Sequence, residues 1–391
     1  MEVDRRTLLR GALAAAGTAV FAGAAWNAAL AAEPARPGVG PYGPLRPPDR
    51  NGVALPEGFT SRVVARSRNL VTGTDYQWHD APDGGACFPT DDGGWIYVSN
   101  SEVLFRGGVS ALRFRPDGSI ASAGRILEGT TANCAGGATP WGTWLSCEEF
   151  AWGRVYETYP DGSREAVARP AMGRFTHEAA ACDPDRKVIY LTEDRRDGCF
   201  YRFRPDRWGD LSSGRLEVLV APPDLTSGAV RWEPVPDPDG FPRATRRQVE
   251  GARRFNGGEG CYYANGVCYF TAKGENRVWA YDAVRETLSI RYDAELAGGE
   301  DAAPLVGTDN ITGSVAGDLF VAEDRPQPAL CVITPDGVVA RFLHLPDHDR
   351  SEITGPAFSP DGTRLYFSSQ RGVRGRDRGG MTFEVTGPFR R

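Results

Sequence analysis

The chain has little histidine, no block of basic residues and, after Leu30, no long apolar run. Its four histidines, His79, His177, His344 and His348, are too few for a histidine-rich zinc site. A hard-metal site here must lean on Asp, Glu and Asn. A net charge of −6 without a basic cluster argues against nucleic acid as a partner. Beyond the N-terminal run, no segment is long and apolar enough to cross a bilayer. Apolar segments of helical length are also scarce. Short hydrophobic stretches punctuated by 48 glycines and 29 prolines favour an all-β fold rich in turns. A length of 391 residues allows a large core and roughly one to three domains.

The N-terminus carries paired Arg5 and Arg6 in "DRRTLLR", then a weakly apolar Ala/Gly-rich run from Gly11 to Leu30, then "ALA" at Ala29–Ala31. This predicts a twin-arginine export signal over residues 1–32, cleaved near Ala31 or Ala32, with a membrane anchor as the alternative. Export would place the protein in the periplasm or outside the cell, with no stable membrane insertion after cleavage. Residues 33–56 form a Pro/Gly-rich extended lead-in, and residues 57–391 the folded domain. Export also permits disulfides among the eight cysteines. Cys182 with Cys199, and Cys261 with Cys268, are spaced to face each other across hairpins, but sequence does not decide between pairing and simple burial.

One cysteine stands in unusual company. In "TPWGTWLSCEEF", Cys147 precedes Glu148 and Glu149, whose charges disfavour a thiolate. It is a core residue, half of a disulfide, or a thiolate held by a strong cation. Alternating strands of five to seven residues recur along the chain, separated by "PDG" and "NG" turns that mark β-hairpins. About six such units predict the blades of a β-propeller, with a β-sandwich pair as the alternative. Phe59–Ser67 is placed to close the ring.

Polar motifs fall at two fixed places in this unit. One is the start of the first strand: His79-Asp80, Asn133-Cys134, His177-Glu178, Glu259, Asp309-Asn310 and Glu352. The other is the end of the next strand: Asn100 with Glu102, Cys147 to Glu149, Glu193-Asp194, Lys273 with Asn276, Glu323-Asp324 and Gln370. In an antiparallel hairpin these two ends adjoin, so both sets share one face and converge at a propeller's central channel. Bare carboxylates a few Å apart repel by on the order of several kcal/mol. Multivalent cations are the natural remedy.

From "NGVALPEGF" to "ITGPAFSPDGTRLYFSSQ" the sequence resembles the PhoX-type alkaline phosphatases, most specifically in "NCAGGATPWGTWLSCEE", "GRFTHEAA" and "YLTED". The resemblance, to a short and compact branch, implies a six-bladed propeller whose channel mouth holds ferric iron and calcium and hydrolyses phosphate monoesters; the expected partners are small phosphorylated substrates and the expected state a monomer. It makes Cys147 the iron-bound thiolate and Glu178 and Glu259 the iron-binding glutamates, with Cys147 bridging the metals. Glu102, Glu149, Asp194, Asp309 and Glu323 stand where further acidic ligands belong. The family's phosphate-contacting arginine, two residues before Glu259, is here Gly257. Lys273, at the end of the following strand, and Arg254, which reads with Arg253 as part of a short helix, "TRRQVEGARRF", are the candidate replacements. Paired metals would neutralise the ester dianion and supply an oxygen nucleophile at neutral pH. Other functions fit the same pattern: a calcium-dependent lactone hydrolase, a propeller that binds protein or glycan, and a relative that binds metal without turnover.

Overall fold

The computed structural model describes residues 33–391, so the expected export signal lies outside the described residues. Six sheets of four or five strands, antiparallel apart from one added edge strand, form a six-bladed β-propeller. Among the described residues the only helical turns are short 3-10 segments, and "TRRQVEGARRF" holds one of these, at Thr245–Arg247, in place of the expected helix.

Blade 1 runs through Pro82–Pro89, Trp95–Ser101, Gly107–Phe114 and Ile120–Thr130. Blade 2 uses Asn133–Ala138, Trp144–Glu148, Val155–Thr158 and Val167–Ala168. Blades 3, 4 and 5 begin at His177–Asp183, Gly258–Ala264 and Thr308–Gly313. Blade 6 takes Ile353–Phe358, Arg364–Ser369 and Met381–Thr386 from the end of the chain and Thr60–Arg66 from its beginning. That last pairing, Thr60 with Thr386 through Arg66 with Met381, closes the ring. A sheet closed this way leaves no free first or last blade.

Alternation along each strand sends apolar residues into the seams between blades. Leu145 and Val155 of blade 2 pack on Ile189 and Leu191 of blade 3, and Phe200 of blade 3 stacks on Phe270 of blade 4 with ring centroids 4.2 Å apart. Each fully buried aromatic contributes roughly 2–3 kcal/mol. Trp144 fills the seam between blades 1 and 2, its indole N–H donating to Asn100. The lead-in also packs: Arg36–Pro37 adds a parallel strand to blade 5, and Tyr42 joins Phe59, Phe320, Phe342 and Phe389. All eight cysteines are free thiols. Cys261 and Cys268 face each other with sulfurs 3.3 Å apart, whereas Cys182 sits opposite Ile189 rather than Cys199.

Candidate metal centre

The centre is built from one irregularity repeated around the ring. In blades 1 to 5 the first strand makes one ladder pair and then slips by one residue. The pairs are Pro82 with Ser101, Asn133 with Glu148, His177 with Glu193, Gly258 with Ala272 and Thr308 with Glu323. The first residue of the slip is Asp83, Cys134, Glu178, Glu259 or Asp309. A β-bulge re-aims a side chain out of the regular alternation, and here it brings side chains from different blades to one place. In four of the five blades the residue after the first of the slip is Gly or Ala (Gly84, Ala135, Ala179, Gly260), and neighbouring bulges nest backbone against backbone; in blade 5 it is Asn310. A Cβ on Gly84 would lie 2.5 Å from the Ala135 Cα, and one on Gly260 2.6 Å from the Ile311 nitrogen.

A second ring comes from the ends of the second strands, where acidic doublets divide their labour. Glu148 accepts the backbone N–H of Thr131 (2.9 Å) and Arg154 (3.1 Å). Glu193 accepts from Cys199 and the Tyr201 hydroxyl and pairs with Arg246. Glu323 accepts from Val306 and Ala329, each at 2.9 Å. These first members brace the blade turns. The second members, Glu149, Asp194 and Asp324, turn toward the first-strand acids. Glu102, Lys273 and Gln370 hold the corresponding place in blades 1, 4 and 6.

Three donor groups result, each with ligand atoms within 4.8 Å of one another: Cys134, Glu149 and Glu178; Glu178, Glu259 and Asp309; Asp309, Asp324 and Glu352. They share Glu178 and Asp309 and so form a continuous arc. Burial and then neighbouring carboxylates push Glu178 well above the usual carboxylate range. Burial dominates at Glu259, Asp83 and Glu149 too, and all three are raised well above it. The same causes bring Asp309 to about 6 and Glu352 to about 8. The Cys134 thiol is raised by burial and by Asp83 and Glu178, and it donates to Glu178 Oε1 at 3.2 Å.

Two cations stand in the arc. Lys273 Nζ lies 2.9 Å from Glu259, 3.2 Å from Asp324 and 3.6 Å from Asp309. Burial works to neutralise it, but the three carboxylates outweigh burial and hold it charged. Arg371 donates to Glu352 at 2.7 Å and approaches Glu102 at 3.7 Å. Gln370 donates to Glu102 and to Asp83.

The residues fit a cation site. Glu178 Oε2 is buried without any partner, and its neighbours are acidic donors from several blades rather than groups that could donate to it. Thiolate with carboxylate suits a transition metal, and the two all-carboxylate groups suit hard cations.

Of the residues singled out in the sequence, Glu178, Glu259, Asp309 and Glu149 fall in the donor groups, and Lys273 joins them. Asp194 lies beside Glu149, and Glu102 beside Gln370 and Arg371. Three are placed elsewhere. Cys147 is fully buried between blades 2 and 3 among Leu145, Val155, Phe175 and Leu191, because alternation turns it to the seam. Burial raises its thiol far from ionisation. Among the described residues, Cys134 is the cysteine that stands in a donor group. Glu323 is a turn brace, and Asp324 is the channel residue. Arg254 points back to the Cys199 sulfur, at 2.8 Å, and to the Asp197 carbonyl. Asp83 and Arg371 were not singled out in the sequence. Asp83 carries a signal, an acid followed by a small residue as in Glu259-Gly260. Arg371 carries none short of the folded ring.

The family profile described as Alkaline phosphatase PhoX matches residues 107–164 and 151–372, which is more than half of the chain. The chain belongs to the PhoX alkaline phosphatase family. Its fold is similar to Pseudomonas fluorescens PhoX in complex with vanadate, a transition state analogue. The TM-score is 0.68 at 19% identity, covering 86% of this chain and 96% of that one. A Bacteroides thetaiotaomicron protein of unknown function aligns with a TM-score of 0.52 at 9% identity, covering 84% of this chain and 76% of that one. No curated protein matches the sequence. Gly257 is the position at which the resemblance implied an arginine. A Cβ on Gly257 would lie 3.5 Å from Asp194 Oδ1 and 3.7 Å from Glu259 Oε1, so a side chain at this position would project into the PhoX centre.

Proposed function

We propose that the protein is an exported, metal-dependent phosphatase that hydrolyses phosphate monoesters of small molecules. The observation that carries this is the arc of three overlapping donor groups at the mouth of a PhoX propeller. Iron suits the thiolate group of Cys134, Glu149 and Glu178, and calcium suits the two all-carboxylate groups. Held by these residues, such metals would supply positive charge toward the phosphoryl oxygens and make a nearby water more acidic.

The protein's own residues supply the rest. The bulges fix the acids on strands, so their spacing is set by the ladder rather than by loops. The mutual repulsion that helps raise these carboxylates is the part of their environment that a bound cation would relieve. Lys273 and Arg371 offer ammonium and guanidinium groups to the ester oxygens, Arg371 from a fork already oriented by Glu352. Gly257 leaves open the space that a side chain there would fill. Between them, Lys273 and Arg371 provide the positive charge toward phosphate that a glycine at position 257 does not.

The test is metal analysis and p-nitrophenyl phosphate hydrolysis of the exported protein, alongside Glu178→Gln, which alters the ligand shared by two donor groups. Loss of both metal and activity in the variant is expected. Full metal content and activity in Glu178→Gln would overturn the assignment. Hydrolysis of lactones but not phosphoesters would replace it with the lactonase alternative.

A further inference from the structure

The loop that leaves the metal centre at Arg371 goes on to line a cationic groove. The second and third strands of blade 6 are joined by Gln370–Gly380, "QRGVRGRDRGG". Arg371, the first arginine of this loop, is anchored at the centre by Glu352 and Glu102. The rest of the loop is pinned in place. Arg376 N–H donates to the Arg371 carbonyl at 3.0 Å, and Gly379 N–H to that of Arg376 at 2.7 Å. Ser67 and Ala81, just outside the ends of neighbouring strands, donate to the carbonyls of Gly380 and Asp377. Gly372 and Gly375 take positive φ values of 59° and 60° at its turns.

A groove of about 680 Å³ opens between this loop and the end of the ring-closing strand, lined by Arg66, Arg68, Asn69, Arg374 and Arg378. Arg68 is neutralised, donating through Nε and Nη2 to Asp80. Among the described residues, Arg66, Arg374 and Arg378 have no carboxylate partner. In a chain of net charge −6, uncompensated guanidinium groups gathered in one concavity run against the overall bias. Planar guanidinium forks match phosphate oxygens in particular.

We infer that this groove is a subsite for a second phosphate group carried by the same substrate whose scissile phosphate lies at the metal centre, the loop that begins at Arg371 linking the two. The inference rests on the phosphatase reading of that centre. It narrows the substrate class from phosphate monoesters in general to small molecules bearing two or more phosphates.

The experiment compares fructose 1,6-bisphosphate, fructose 6-phosphate and p-nitrophenyl phosphate as substrates of the metal-loaded protein and of Arg374→Ser/Arg378→Ser. Removing charge-assisted hydrogen bonds to a phosphate should raise KM for the bisphosphate about ten- to hundredfold. The kinetics with both monophosphates should stay unchanged. Equal kcat/KM for bisphosphate and monophosphate in the unaltered protein, or equal losses on all three substrates, would overturn the subsite. If the unaltered protein hydrolyses none of them, the phosphatase reading fails. The groove is then judged by calorimetry with inorganic pyrophosphate: binding weakened roughly tenfold in the double variant upholds it, and equal binding overturns it.

Discussion

Replacing Lys273 with methionine removes a charge and keeps a flexible side chain of similar length. The ammonium sits 2.9 Å from Glu259, 3.2 Å from Asp324 and 3.6 Å from Asp309. At an effective dielectric of about 20, the nearest contact alone has a gross attraction of roughly 5–6 kcal/mol. Much of that is offset. The Lys273 side chain keeps 32% of its exposure, and Glu259 can take up a proton once the cation is gone. Breaking one side of a buried pair costs about 3–5 kcal/mol, and after this offset we expect about 2–4 kcal/mol in metal-free protein. For a domain of this size that lowers Tm by on the order of 5 °C. In calcium the sign should reverse, because three carboxylates without their built-in counter-charge bind an ion in its place. The assay is thermal denaturation in chelator and in calcium, with ion stoichiometry by elemental analysis. Lys273→Arg, which keeps the charge, should behave like the unaltered protein. An unchanged Tm in chelator together with an unchanged ion count would refute the electrostatic account of this lysine.

Cys134→Ser should lose bound iron and phosphatase activity with little change in metal-free stability. Cys147→Ser should keep its metal and lose about 1–3 kcal/mol, because it buries an unpartnered hydroxyl in an apolar seam; elemental analysis and urea melts separate the two. Glu323→Gln leaves one of two backbone N–H groups without an acceptor and should cost about 1–3 kcal/mol with metal content intact, read from the same melts. His177 is buried, donates through Nε2 to the Gly173 carbonyl at 3.0 Å, and is lowered by burial to about 4. Between pH 6.5 and 4 the unfolded chain therefore binds the extra proton, so this residue's contribution falls as pH drops, by about 1.4 kcal/mol per unit. The raised carboxylates contribute the opposite slope. The measurement is therefore the difference between the metal-free pH–stability profiles of the unaltered protein and His177→Phe, which should shrink on acidification.

The blades were legible because alternation and turn chemistry are local. "PDG" turns and strands such as "RKVIYLTED" mark hairpins wherever they occur. The two ends of each hairpin adjoin by geometry, so the convergence of acids on one face could also be read from spacing. Individual side-chain direction could not. In "SCEE" the sequence offers a thiol and two carboxylates in a row, and strand alternation alone lets either register face the channel. Only the pairing of Asn133 with Glu148, with its bulge at Cys134, decides the matter. Cys147 and Glu148 then belong to the seam and the turn, and Cys134 and Glu149 to the centre. The doublet Glu323-Asp324 is resolved the same way by the N–H groups of Val306 and Ala329.

By itself, the sequence determined an all-β chain of repeated hairpins, the family it belongs to, and a ring of acids gathered on one face. These depend on residue type and spacing, which are local quantities. The tertiary structure decided which cysteine faces the acids, that Lys273 stands among three carboxylates, and that Arg371 reaches the centre from the far end of the chain. Those outcomes depend on bulges that shift the ladder by one residue and on the closure that sets blade 6 beside blade 1. A one-residue shift reverses the direction of every side chain beyond it, and pairings made across the closed ring leave no trace in local sequence.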